Sequence, residues 1–128
     1  MIDSYSDRLR VAVPSEAPGG LDSARSGHFG RSPYFTLVDI VGGEIGPVDV
    51  VVNRPHSDGG CMAPVLTLGG NFVDAVIVAG IGQRPLLACV QAGIRVFAGE
   101  DRADVRSAVE AFVEMELSPV GPDATCRH

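Results

Sequence analysis

Three short segments combine residues able to meet a metal or an anion with glycines that leave room for one. The longest runs Gly19-Gly20-Leu21-Asp22-Ser23 and then Ser26-Gly27-His28-Phe29-Gly30-Arg31-Ser32-Pro33. His28 offers a nitrogen ligand or a proton donor, Arg31 a planar fork for an anion, and the flanking glycines free backbone amides. The structural alternative is a packed turn in which His28 simply bonds a backbone carbonyl. The second segment, Asn53-Arg54-Pro55-His56-Ser57-Asp58-Gly59-Gly60-Cys61, pairs imidazole with thiolate, a soft combination suited to iron, copper or zinc. Two ligands fall short of the four that a structural zinc site takes, so the same stretch also reads as a surface loop. The third, Ala79-Gly80-Ile81-Gly82-Gln83-Arg84-Pro85, has the form of a strand-to-helix turn. A helix N-terminus there presents unpaired amides to an anion. The turn lacks the third glycine of a dinucleotide fingerprint and the lysine of a phosphate-binding loop.

Cys126-Arg127-His128 ends the chain and reads either as a further metal-reaching pair or as a loose end. Cys89, on the apolar side of an expected helix, reads as a small buried hydrophobe. What is missing narrows the chemistry. A two-metal nuclease needs carboxylates beginning on the first strand, and Leu9 to Val13 carries none. Asp74 stands at the wrong end of its strand for a rim site. There is no Gly-x-Ser-x-Gly elbow and no plausible Ser/His/Asp order.

These loops must be held by an ordered set of elements. Leu9 to Val13 reads as a strand stopped by Pro14, Tyr34 to Ile40 as a second, and Gly42-Gly43 as a hairpin turn into a third over Glu44 to Val52. Pro47 within that third strand points to an edge or a bulge. Met62 to Leu68 forms a short helix with Pro64 in its first turn, ended early by Gly69-Gly70. Val73 to Ala79, almost wholly apolar, fits a strand buried on both faces. Pro85 opens a helix carrying Leu86, Leu87 and Val90, with Gly93 as its left-handed stop. Ile94 to Ala98 is a last strand, and Val105, Val109, Phe112 and Val113 mark one face of a last helix. Asp101 and Asp104 take the positions of an N-cap and a first-turn carboxylate.

The order β-β-β-α-β-α-β-α, with a hairpin followed by right-handed crossovers, predicts an α/β fold. Its natural form is a ribonuclease-H-like, five-stranded mixed sheet of order 3-2-1-4-5 with helices on both faces. Ligands in such sheets sit outside the carboxyl ends of the parallel strands, where the first and third segments lie. The expected organisation is a tail over residues 1–8, one domain over 9–117 and a loose tail over 118–128.

Composition sets the remaining bounds. A chain of 128 residues, 45% hydrophobic and 20% charged, supports one core without staples. Its net charge of −6 supplies no basic footprint for nucleic acid or anionic lipid. No apolar run approaches a membrane span of ~20 residues, and Met1 to Asp7 lacks the apolar core of a secretory signal. Three cysteines make no disulfide framework, which fits a reducing cytoplasm.

Taken in order, several stretches resemble the dinitrogenase iron–molybdenum cofactor biosynthesis family. They are Val11-Ala12-Val13-Pro14-Ser15, Gly20-Leu21-Asp22-Ser23, Ser26 to Arg31, Tyr34 to Asp39, Asn53 with His56, Val73 to Pro85, and Ala92-Gly93-Ile94 with the closing helix. The resemblance spans about Leu9 to Leu117. It implies a ribonuclease-H-like fold without nuclease or other enzymatic activity. It also implies that the chain binds or carries iron–molybdenum cofactor, or a related iron–sulfur or molybdenum–sulfur cluster, during cofactor assembly, with cluster-assembly or acceptor proteins as partners. On the matching positions it places Ser15, Gly27, His28, Gly30, Arg31, Asn53, His56, Gly80, Gly82 and Arg84 around the cluster, with His28, His56 and Cys61 as metal ligands. Many relatives carry a longer loop after the asparagine, richer in glycine and histidine, so the ligand set here differs. The competing readings are a metal-free adaptor or regulator using the same loop rim and, last, an enzyme acting there on a small anionic substrate.

Overall fold

A computed structural model describes residues 8–53, 62–99 and 101–121. Five strands and three helices follow in the order β1 (Arg8–Ser15), β2 (Tyr34–Val41), β3 (Glu44–Val52), α1 (Met62–Gly70), β4 (Ala75–Val78), α2 (Gln83–Gln91), β5 (Arg95–Ala98) and α3 (Val105–Val113). The sheet order is β3-β2-β1-β4-β5. β1, β2 and β3 pair antiparallel, while β1, β4 and β5 run parallel. This is the mixed sheet expected from the sequence.

Alternation along the central strands splits the core in two. Ala12 of β1 and Val76 and Val78 of β4 face α1 and α2, where they meet Leu68, Leu86 and Cys89. Val11 and Val13, with Ala75 and Ile77, face α3 and its Val105, Ala108 and Val109. Each Val, Leu or Ile side chain among them, once buried, contributes roughly 1.5–3 kcal/mol. The apolar run of β4 is thus explained by its having no solvent face. On α2 the buried stripe is Leu86 and Cys89, while Leu87 and Val90 stay substantially exposed.

Several boundaries differ from expectation. β1 continues through Pro14 to Ser15. The Pro14 carbonyl accepts from the Ser26 amide, so the proline nitrogen also faces away from β2, on a side where β4 pairs only with Val11 and Ala12. No ladder hydrogen bond is lost there, which removes the usual objection to proline. α1 runs on through Gly69 and Gly70, and the chain reverses at Phe72 with φ 60°. Amides of Phe72 and Val73 close that end on the carbonyls of Gly69 and Leu68. α2 begins at Gln83, two residues ahead of Pro85, which still lies in the first turn where its missing N–H costs nothing. Asp104 alone caps α3, accepting from the Ser107 amide at 2.8 Å; Asp101 lies before the helix and pairs with Arg102.

The segment after Leu117, expected to be loose, lies in part along β5. The Ala98 amide donates to Ser118, and the Val120 amide to Val96. It covers an edge that would otherwise present unpaired backbone groups. The other edge is β3, where Pro47 sits beside a register shift between Val38 and Ile40, so both readings of that proline hold. The Gly42-Gly43 turn has φ of 60° and 81°, the left-handed pair that a two-residue hairpin of this kind requires.

Candidate functional site

The carboxyl ends of β1 and β4 open onto one rim. A cleft of about 400 Å³ lies between residues Gly27 to Arg31, which follow β1, and Gly80 to Gly82 with Pro85, which follow β4. Two of the three segments singled out by their chemistry therefore meet across it. No carboxylate is among the described residues that line this cleft, although the chain as a whole is acidic.

The long loop after β1 divides into two parts with different work. Its first half is structural. Carbonyls of Leu21 and Ser23 accept from the amides of Arg106 and Val105, finishing the N-terminus of α3, and the Arg25 amide donates to Ala103. Gly19 has φ 83°, and a Cβ there would stand 2.6 Å from the Val50 side chain, so packing and backbone both demand glycine. Its second half faces the cleft. Ser26, buried, receives the His28 amide on its hydroxyl at 3.2 Å, while its own amide anchors to Pro14. That local turn exposes His28. The imidazole makes no hydrogen bond to a described residue, so the packed-turn alternative does not describe this histidine.

Phe29 pins the loop from the other side. It is 5% exposed and stacks obliquely on Phe35, with ring centroids 5.7 Å apart. Asn53 is the second tether. Its side-chain amide donates to the Ser32 carbonyl at 2.9 Å, to the Ser32 hydroxyl at 3.2 Å and to the Phe29 carbonyl at 3.4 Å. Its backbone amide bonds Pro33. Asn53 Oδ1 is buried and accepts from no described residue. Between these anchors Gly27, His28, Gly30 and Arg31 are left facing the cleft.

The glycines in the cleft are not explained by the fold. A Cβ on Gly27, Gly30 or Gly80 would meet nothing within 4 Å, and none of the three has positive φ. Side chains at these positions would instead extend into open space. Gly82 is the N-cap of α2 and provides no side-chain cap, which leaves the first amides of that helix open to an anion.

The remaining expected residues are distributed as follows. Arg84 is exposed in the first turn of α2, beside the cleft but outside its lining. Ser15 is fully buried, its hydroxyl bonded to the Val13 carbonyl at 2.6 Å and to Thr36 at 2.7 Å. Thr36 in turn receives the Gly20 amide. Ser15 thus holds the loop's origin and turns no group to the cleft. His56, Cys61, Cys126 and His128 lie outside the described residues. Cys89 is buried, and burial pushes its thiol up to about 11, so it stays protonated and inert. Among the described residues no group of three or more His, Cys, Asp or Glu comes together to hold a metal ion. Sequence reasoning missed the tethering by Phe29 and Ser26, and the place of Ile81 in the lining.

The chain is similar to known proteins over most of its length. The model of a family described as dinitrogenase iron-molybdenum cofactor matches residues 7–115. Among solved structures, the apo form of the orange protein from Desulfovibrio gigas superposes with a TM-score of 0.78 at 25% identity, over 88% of this chain and 93% of that one. A Thermotoga structure described as a candidate NifB protein gives a TM-score of 0.70 at 30% identity, over 87% of this chain and 92% of that one. An uncharacterized protein of Methanocaldococcus jannaschii is 29% identical over 114 residues, 85% of this chain and 89% of its own length.

Proposed function

The chain belongs to the dinitrogenase iron-molybdenum cofactor family, and from that premise we propose that the cleft holds an anionic metal–sulfur cluster as cargo during cofactor assembly. One observation carries the reading: a cleft of about 400 Å³ with no carboxylate among its described lining residues, in an acidic chain, joins His28 and Arg31 to the uncapped N-terminus of α2. Sulfide-rich clusters are large and negatively charged. Backbone amides, a guanidinium and open space above glycine are what such a ligand needs.

The donor set limits how the cluster is held. Within the described residues His28 is the one side chain in the lining able to ligate a metal. Cys89 is excluded by its burial and its raised pKa. Retention therefore rests mainly on electrostatics and hydrogen bonds, with His28 as the described ligand and His56 and Cys61, in the segment that follows Asn53, as the further candidates. Such largely non-covalent retention suits a carrier that must give its cargo up. On this reading the chain acts by binding and release rather than by catalysis, in keeping with its family. A cytoplasmic setting, in which thiols stay reduced, agrees with this role.

Anaerobic reconstitution with iron and sulfide, or with isolated iron–molybdenum cofactor, tests the proposal. Bound metal and charge-transfer absorbance are expected at a fixed ratio to protein. His28→Ala and Arg31→Ala are expected to lower retention on a desalting column, and Cys61→Ala reports whether the segment after Asn53 ligates. A chain that stays colourless under every loading condition would instead be a metal-free adaptor.

A further inference from the structure

The opposite end of the sheet, where β1 begins and α3 finishes, carries a second and larger hollow of about 550 Å³. Leu9 and Ile40 line it from β1 and β2, and Phe97, Phe112 and Met115 from β5 and the end of α3. Phe97 and Phe112 meet edge to face with centroids 5.1 Å apart. Met115 is 89% exposed and holds φ 62°, a conformation that non-glycine residues seldom adopt. Leu9 lies six residues before Ser15 on the same strand, so this hollow is about 20 Å from the cluster cleft along β1.

One charge stands in the lining. Arg95 places its guanidinium carbon 5.3 Å from the centre of the Phe97 ring, and among the described residues no carboxylate pairs with it. An apolar wall with a single unneutralised cation, in a chain of net charge −6, is complementary to a ligand of opposite design. The volume falls in the range of pockets that enclose small organic molecules. We propose that this hollow is a second binding site, for an amphipathic organic anion whose apolar body lies on Phe97, Phe112 and Met115 and whose carboxylate meets Arg95. The proposal stands apart from the cluster reading, because it shares no residue with the cleft.

Titration of the full chain with decanoate, followed by amide NMR shifts, tests it. Saturable shifts confined to Leu9, Ile40 and the Gly42-Gly43 turn, β5, the end of α3 and residues 117–118 are expected. Decanol, with the same body and no charge, should bind about tenfold more weakly, and Arg95→Gln should lose a similar factor for decanoate. Met115→Asp, at an exposed position that leaves the core intact, should weaken decanoate as well. Cluster loading should be unchanged in both variants. Scattered or absent shifts overturn the proposal, as does equal affinity for decanoate and decanol. Binding that appears only after deletion of residues 1–7 also overturns it, since the chain's own N-terminus would then be the occupant. So does a concentration-dependent dimer that protects the same amides, since a second copy would then fill the hollow.

Discussion

At the scale of single residues, the cleft is defined as much by missing side chains as by present ones. Gly27, Gly30 and Gly80 leave open space where neither packing nor backbone asks for glycine. Gly80→Val is therefore expected to leave the melting temperature nearly unchanged while reducing cluster retention several-fold; equal losses in both would mean that Gly80 serves the fold. Gly19→Ala makes the contrast. A Cβ there stands 2.6 Å from Val50 and the residue has φ 83°, so a loss of about 1–3 kcal/mol in chemical denaturation is expected. The sequence pointed to His28, Arg31 and the glycine-bearing turns because their chemistry is local and visible. It could not separate Ser15, whose hydroxyl turns inward to Thr36, from the residues that face the cleft. That distinction depends on which side of a strand meets the core, and the register becomes evident only when β2 is in place.

At the scale of elements, the exposed loop owes its order to two buried tethers. Asn53 donates to Ser32 and Phe29 from the end of β3, and Phe29 packs into the core shared with α1 and α2. Asn53→Asp replaces that donor with a carboxylate facing carbonyls. It should cost about 2–3 kcal/mol in urea denaturation and accelerate amide exchange over residues 28–32. A variant with unchanged exchange there would show that Asn53 does not hold the loop. Strand and helix order was legible because hydrophobic period, turn glycines and the Asp104 cap act over a few residues. The boundaries that went astray depend on distant partners. Pro14 extends β1 because Ser26 takes its carbonyl, and residues 118–120 are ordered because β5 has an open edge. Neither partner adjoins the residue it affects.

At the scale of the whole molecule, the two ends of the sheet are built from different groups. At the end away from the cleft Asp39, with 7% of its side chain exposed, accepts from Arg10 at 2.8 Å and from Arg8 at 3.0 Å. The Arg10 hydrogen bond, aided by Arg8, holds the Asp39 carboxyl below the usual carboxylate range against the opposing effect of burial. A carboxylate depressed in the folded state stabilises the fold above its unfolded pKa of about 4 and loses that contribution as pH falls through the folded value. Asp39→Asn should thus lower stability by about 1–3 kcal/mol at pH 7, with the gap to the parent chain closing as pH falls below about 4 and through the folded value. Thermal melts across that range check it, and a gap that persists unchanged at low pH would assign the loss to packing. The Arg8–Arg10–Asp39 cluster binds β1 to β2 at the end of the sheet away from the cleft. The central claim, that the rim between Gly27–Arg31 and Gly80–Pro85 receives an anionic metal–sulfur cluster, is tested most directly by comparing amide NMR spectra of the anaerobically loaded and unloaded chain. Broadening or shifts concentrated at residues 27–31 and 80–84, with the strands β2 and β3 undisturbed, are predicted; a loaded protein whose perturbed amides lie elsewhere would contradict it.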